Sequence, residues 1–255
     1  MTSLPPFPET DWAWFFDVDG TLSFIAESPE HARVDDRMLD LIARLQHQSL
    51  GAVAAISGRS IDDVDALFPG LKLAVAGQHG AERRDATGRL YQISVSQENL
   101  QAMRAAVVEM TRHHAGLLLE DKGLSLALHY RKVPRLGPFV LRELRAIFLK
   151  HGDGFQLQLG KCVVEVVAVG HTKGTVVLEF MTEIPFKGRR AVYLGDDVTD
   201  ENAFAVVNDI GGVSIKVGAG PTVAQYRLID VAAVRQWLES PSLQLLRQYS
   251  DGDQT

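Results

Sequence analysis

The sequence predicts an α/β fold, a doubly wound parallel sheet interrupted by a smaller inserted α+β unit. Three observations carry this prediction. Short apolar runs recur along the chain and each stops at a polar cluster, helical repeats of apolar residues separate them, and midway the texture changes to alternating strands before the first pattern returns.

The first run, Trp12-Ala13-Trp14-Phe15-Phe16, is apolar without interruption, as a strand buried on both faces of a parallel sheet must be, and it ends at Asp17. Asp35 is placed to cap a helix whose Met38, Leu41, Ile42 and Leu45 repeat on one face. A second run, Ala52 to Ile56, ends at Ser57-Gly58-Arg59. Ser60 and Asp63 then have capping-box spacing for a helix over Ile61 to Phe68, stopped by Pro69-Gly70. A third run, Leu73 to Ala76, ends at Gly77-Gln78-His79-Gly80. Ligands of such sheets bind beyond the carboxyl ends of the strands, where these polar clusters fall.

From about Thr87 the pattern differs. A helix carrying Leu100, Met103, Val107 and Met110 precedes a segment in which Leu124, Leu126 and Leu128 point one way and Ser125, Ala127 and His129 the other, as in a half-exposed strand. A second helix, around Phe139 to Phe148, precedes strands over Phe155 to Leu159 and Lys161 to Val167. Helix followed by two strands, stated twice, predicts a small antiparallel sheet with two helices. The α/β pattern resumes with a helix from Lys173 to Met181, the run Ala191 to Leu194 ending at Gly195-Asp196-Asp197, a helix from Glu201, a strand from Gly212 to Val217 and a helix ending near Glu239. The core is read as residues 1–86 and 169–255 and the insert as 87–168, with a disordered polar tail over 250–255.

Composition narrows the function classes. With 46% hydrophobic residues over 255 positions the chain can bury a full core, and its single thiol, Cys162, leaves no intrachain disulfide, which fits a reducing, cytoplasmic setting. No signal-peptide pattern precedes Trp12, and no apolar run reaches the roughly 18 residues a membrane span requires. A net charge of −6 and a pI near 5.7 argue against nucleic acid or an anionic membrane as partner. A small anionic substrate, held by a few local cations, fits better; a monomer is expected.

The chemistry concentrates in four segments. Asp17-Val18-Asp19-Gly20-Thr21-Leu22 places two carboxylates two residues apart where an apolar strand ends. One can attack phosphorus while the other protonates the leaving alcohol and later activates water. Gly20 and Thr21 would turn backbone N–H groups toward the phosphoryl oxygens. A carboxylate facing a phosphate dianion needs a cation, and Asp196, Asp197 and Asp200 supply acids at another strand end; hard oxygen ligands and a phosphorylated substrate favour Mg²⁺. Ser57 can donate to a phosphate oxygen, and Lys173, at a helix start, offers a point charge. Arg59 either binds phosphate or holds a catalytic acid.

In this order the four segments (DxDGTL, SGR, KG and GDDxTDE) resemble the haloacid dehalogenase superfamily of phosphatases. The resemblance implies Asp17 as nucleophile, Asp19 as general acid and base, and Ser57 and Lys173 as phosphate anchors. It implies Asp17, the Asp19 backbone carbonyl and Asp196 as magnesium ligands, supported by Asp197 and Asp200. A narrower resemblance, to trehalose-6-phosphate phosphatases, rests on Ala76-Gly77-Gln78-His79-Gly80-Ala81-Glu82, on Glu120-Asp121-Lys122-Gly123 through Arg131, on Gly160-Lys161-Cys162-Val163-Val164-Glu165 and on Gly170-His171-Thr172-Lys173-Gly174. It implies that the insert is a cap closing over the disaccharide, with Glu120, Lys122, Lys161 and Glu165 on its sugar side, Gly58 and Arg59 lining the core side, and His79 and Arg131 as further contacts.

Other readings compete for the same residues. Acids after a strand also form turns, and alternating charges on an antiparallel strand also make a solvated face. The same core motifs would serve sucrose phosphate or a mannosyl phosphoglycerate, and a non-catalytic sugar phosphate sensor is the rival from another class. A dinucleotide enzyme is disfavoured because no GxGxxG follows the first strand.

Overall fold

The computed structural model describes residues 4–9, 11–25, 31–160 and 162–240. Lys161 and the tail over 250–255, both named above, lie outside the described residues. Two sheets organise the chain. The larger has eight strands in the order β12-β11-β10-β1-β2-β3-β4-β5, and the smaller four in the order β6-β7-β9-β8.

At the centre of the larger sheet lies β1 (Trp12–Phe16), flanked in parallel by β2 (Val53–Ile56) and β10 (Arg190–Gly195). β3 (Ala74–Gly77) extends one side, and β11 (Val213–Val217) and β12 (Tyr226–Leu228) the other, all parallel. Period-two alternation along β1 divides its side chains between two cores. Trp12, Trp14 and Phe16 pack with α1 (Asp36–Gln48), α2 (Ile61–Leu67) and α7 (Val231–Leu238), and Ala13 and Phe15 pack with α5 (Lys173–Met181) and α6 (Glu201–Asp209). The doubly wound architecture is thus as predicted. Asp35 caps α1 through the Met38 N–H at 3.0 Å, and Ser60 caps α2 through the Asp63 N–H at 3.1 Å. The Asp63 carboxylate accepts from the Ser60 hydroxyl, not from its backbone, so the box is half closed.

The larger sheet continues past the predicted boundary at residue 87. β4 (Glu82–Arg84) and β5 (Leu90–Gln92) form an antiparallel hairpin on the edge of β3. Their charged, short sequences conceal them: the pairing with β3 makes them strands, and periodicity does not.

The insert comprises α3 (Gln97–Arg112), β6 (Leu118–Asp121), β7 (Leu126–His129), α4 (Gly137–His151), β8 (Phe155–Gly160) and β9 (Val163–Ala168), with every strand pair antiparallel. Both helices cover one face of the sheet, burying Leu126, Leu128, Val164 and Val166. The prediction of a half-exposed β7 is corrected here. Ser125 and Ala127 on the other side are also buried, because that face of the cap meets the core. Among the described residues no helix is long and apolar enough to cross a membrane.

Candidate active site

The parallel strands set the site by ending together. Asp17 follows β1 and donates its N–H to Leu194 O in β10 at 2.9 Å, which brings it beside the Gly195-Asp196-Asp197 turn. Ser57 follows β2, and its N–H donates to Ala76 O in β3 at 2.9 Å. Lys173 opens α5, which Thr172 caps with a full capping box. Sequence-distant residues 17, 57, 173 and 196 are therefore carried to one end of one sheet.

Lys173 is the electrostatic centre. Its buried Nζ donates to Asp17 Oδ1 and Asp200 Oδ1, both at 2.7 Å. Burial alone would disfavour its charge, but Asp17 and Asp200 outweigh that and raise its pKa well above the ordinary lysine value. Burial pushes the Asp17 carboxyl well up from the usual carboxylate range, against the pull of Lys173, and Asp200 and Asp196 add to the rise. Asp196 is pushed up to about 6, chiefly by burial and then by Asp200. Carboxylate oxygens of Asp17, Asp196 and Asp200 all lie within 4.8 Å of one another.

This donor set fits a hard divalent cation. Gly20 marks how tightly the Asp196 carboxylate is packed against the first loop: with φ +84°, a Cβ there would lie 2.2 Å from Asp196 Oδ2. Its N–H, expected to face a phosphoryl oxygen, donates instead to Ser23 O at 2.8 Å, and the Thr21 N–H turns to Val18 O at 3.3 Å, because the tight loop closes on its own carbonyls. Asp200 has little coordinating capacity left. Its Oδ1 also accepts from the Tyr193 hydroxyl at 2.7 Å and its Oδ2 from the Asp197 N–H at 2.9 Å. Asp197 reciprocates by capping the short 3₁₀ turn over Val198–Asp200.

Two residues that the sequence reading passed over complete this side. Lys216, buried in β11, donates to Asp196 O at 2.5 Å and holds the turn that carries Asp196. Tyr193, buried in β10, holds Asp200. A lysine between the isoleucine and valine of a buried strand was the available signal, since such a charge is rarely buried without a partner.

On the other side Arg59 pairs with Asp19. Its Nε and one terminal nitrogen donate to the two oxygens of Asp19 at 2.6 and 2.8 Å, a bidentate clamp. The Arg59 N–H donates to Ser57 Oγ at 3.1 Å, and the hydrogen of that buried hydroxyl meets no acceptor among the described residues.

The cap reaches this site with one cross-strand row. Register pairs Glu120 with Ala127, Ala127 with Glu165 and Glu165 with Gln158, so all four share the face turned toward the core. Lys122 Nζ donates to Glu165 Oε1 at 2.8 Å and to Gly58 O at 3.0 Å, and lies 4.0 Å from Glu120 Oε2. His79, from the core, sits 2.9 Å from Glu165 Oε2. His79 and Lys122 overcome the effect of burial and hold Glu165 far below the usual carboxylate range. His129 and Lys122 similarly lower Glu120. Arg131 lies on the exposed turn beyond the opposite end of β7 from the Lys122–Ser125 turn that touches the core.

Comparison with known proteins converges on one family. A family model described as trehalose-phosphatase matches residues 15–232. The trehalose-6-phosphate phosphatase of Escherichia coli K12 is 41% identical over 244 residues, covering 95% of this chain and 91% of that protein. A probable trehalose-phosphate phosphatase of Sinorhizobium fredii is 38% identical over 208 residues, covering 82% and 78%. The solved C-terminal domain of the C. albicans trehalose-6-phosphate phosphatase superposes with a TM-score of 0.81 at 22% identity, covering 92% of this chain and 93% of that one. A haloacid dehalogenase-like hydrolase from B. subtilis superposes at 0.61 with 12% identity, covering 88% and 98%; at these identities the likeness speaks for the fold. By its family-model match and by its sequence relatives over most of their length, the chain belongs to the trehalose-phosphatase family.

Proposed function

We propose that the chain hydrolyses trehalose 6-phosphate to trehalose and inorganic phosphate through a phosphoaspartate on Asp17. The observation that carries this reading is the buried Asp17–Lys173–Asp200 arrangement with Asp196 beside it, at the mouth of a cap lined by Glu120, Lys122 and Glu165. Asp17, Asp196 and the Asp19 backbone carbonyl would hold Mg²⁺, with Asp197 and Asp200 orienting the acidic turn. Bound there, the ion supplies Lewis-acid neutralisation of the phosphoryl oxygens.

The protein's own groups account for the bond changes. An Asp17 carboxylate oxygen forms a bond to phosphorus as the phosphorus–sugar oxygen bond breaks, and Asp19 gives its proton to the departing oxygen. Asp19, now a carboxylate, takes a proton from water as that water attacks phosphorus and releases Asp17. Lys173 keeps Asp17 fixed and offers positive charge to the phosphoryl group, and Ser57 donates its unused hydrogen to a phosphoryl oxygen. Arg59 clamps Asp19 as a carboxylate, and an arriving phosphate dianion competes for the guanidinium, which frees Asp19 to take up from solvent the proton it then donates. The cap row presents carboxylates and an ammonium, acceptors and donors together, to sugar hydroxyls. The polar wall this cap presents favours a sugar phosphate over a nucleic acid or an apolar ester.

Asp17→Asn tests the covalent step. Turnover of trehalose 6-phosphate falls at least about 1,000-fold, because an amide does not form the acyl phosphate, while substrate binding measured by calorimetry stays within about tenfold. Turnover near that of the unaltered chain would end the phosphoaspartate reading. Phosphate release across a panel including sucrose phosphate and glucose 6-phosphate tests the substrate, and preference for a monosaccharide phosphate would end the trehalose assignment.

A further inference from the structure

Two histidines at the cap row have no part in the bond changes, yet each sits against a different cap carboxylate. His79 Nε2 lies 2.9 Å from Glu165 Oε2, and His129 Nε2 lies 2.8 Å from Glu120 Oε2. An ionised carboxylate only accepts, so each imidazole donates its Nε2 hydrogen. We propose that His79 and His129 are positioning residues that aim Glu165 and Glu120 at the sugar hydroxyls, His79 from the core and His129 from the cap. The inference rests on the reading that this row binds the sugar.

The construction around His79 is specific. Gln78 and His79 both adopt left-handed backbone, with φ of +49° and +59°, which non-glycine residues adopt only when their surroundings enforce it. The enforcing contacts tie the turn to the catalytic loop: the Gln78 N–H donates to Arg59 O at 2.8 Å and the His79 N–H to Ser57 O at 3.0 Å. Gly80 seats the turn on α5, where a Cβ would come within 2.4 Å of Val176 Cγ2. The imidazole lies over Gly58, where a Cβ would be 2.8 Å from His79 Nε2 and 2.9 Å from Cε1, so the ring fits only because residue 58 has no side chain. Gln78 fastens the cap beside it, with Oε1 accepting from the Ser125 hydroxyl at 2.9 Å.

The two carboxylates are left with capacity for a ligand. Glu165 gives Oε2 to His79 and Oε1 to Lys122, which leaves a lone pair on each oxygen. Glu120 offers the same Oε2 to His129 and, at 4.0 Å, to Lys122, so its Oε1 is open to an outside donor. A glutamate has three rotatable bonds, and fixing one oxygen removes the ordering that a bound hydroxyl would otherwise have to impose. Because His79 belongs to the core, Glu165 is aimed only when the cap is closed, which couples sugar recognition to closure over Asp17.

The test is steady-state kinetics of the full chain with trehalose 6-phosphate and Mg²⁺. His79→Leu and His129→Leu each raise KM about 10- to 100-fold with kcat within about threefold, the loss of one hydrogen bond to a charged group. His→Gln at either position, whose amide donates from a similar distance, returns KM to within about fivefold of the unaltered chain. In a Glu165→Leu background, which has no acceptor for the imidazole, His79→Leu adds less than about threefold. Unchanged KM in a folded His→Leu variant, multiplicative effects in the double variant, or Gln no better than Leu would overturn the proposal. His129 is partly exposed and serves as the second variant should His79→Leu not fold. Failure of the unaltered chain to hydrolyse trehalose 6-phosphate would overturn the parent reading, and is separate because no variant is needed to see it.

Discussion

Replacing Lys173 by Met removes an ammonium that bonds two buried acids. In the folded protein Lys173 Nζ sits 2.7 Å from both Asp17 and Asp200, with the Asp196 carboxylate in the same cluster. Removing one partner of a buried ion pair costs about 3–5 kcal/mol, because the remaining charge is left uncompensated. For a chain of this size that is a fall in Tm of about 6–20 °C. Thermal unfolding followed by circular dichroism, in chelator and in excess Mg²⁺, reads the effect. The fall is larger in chelator, because without Lys173 a divalent cation is the main positive charge left to the three carboxylates, and chelator removes it. Lysine contributes no pH dependence in the accessible range: its folded pKa is raised, so its stabilisation is complete below the unfolded value near 10.4 and is lost only above it. Phosphatase activity falls with it, by at least about 100-fold, since Asp17 loses its fixed orientation and the phosphoryl group loses a donor. A Lys173→Met chain melting within about 2 °C of the unaltered one, or retaining about a tenth of its turnover, would refute the placement of this ammonium at the centre of the site.

Lys216→Met acts on the acidic turn that carries Asp196 without touching the reacting atoms. Loss of its bond to Asp196 O lets that turn relax, and the Mg²⁺ concentration giving half-maximal thermal stabilisation rises about tenfold; an unchanged Mg²⁺ response would dismiss the bond as packing. The raised Asp196 carboxyl predicts a pH signature in chelator. With a folded pKa of about 6, against an ordinary carboxylate value near 4, the folded chain holds the proton longer than the unfolded one. Stability from this group is therefore greatest below about pH 4 and falls, by about 3 kcal/mol, as pH rises to about 6. Asp196→Asn removes that slope, and Mg²⁺ stabilisation, which needs the ionised acid, grows over the same window in the unaltered chain. Identical pH profiles for the two chains in chelator would refute it.

What the sequence disclosed was whatever local pattern alone determines. The apolar run at Trp12–Phe16 can be satisfied only by burial on both faces, and the caps at Asp35 and Ser60 lie within three residues of the N–H groups they serve, so both are legible from neighbours in sequence. β4, with its Glu82-Arg83-Arg84, and the short β12 become strands through a partner strand that no neighbouring residue announces. The same division runs through the site. Carboxylates at strand ends advertise themselves, whereas the contacts of Arg59 with Asp19 and of His79 with Glu165 are made across 40 and 86 residues of chain.

Charge ties these parts together. Asp17, Asp196 and Asp200 bring three potential negative charges into one buried cluster, and the single ammonium bonding two of them leaves two uncompensated. Without a cation the cluster resists full ionisation, which is the physical content of the raised Asp17 and Asp196 carboxyls. A divalent cation held there would balance the two remaining charges and admit the phosphate dianion that the acids otherwise repel. The cap settles its charges differently, pairing Glu120 and Glu165 with Lys122 and two imidazoles, and it can therefore meet neutral sugar hydroxyls without an ion. On the proposed function the core would be completed by metal and phosphate and the cap by the sugar, so that a ligand carrying only one of the two would leave half of the site unsatisfied.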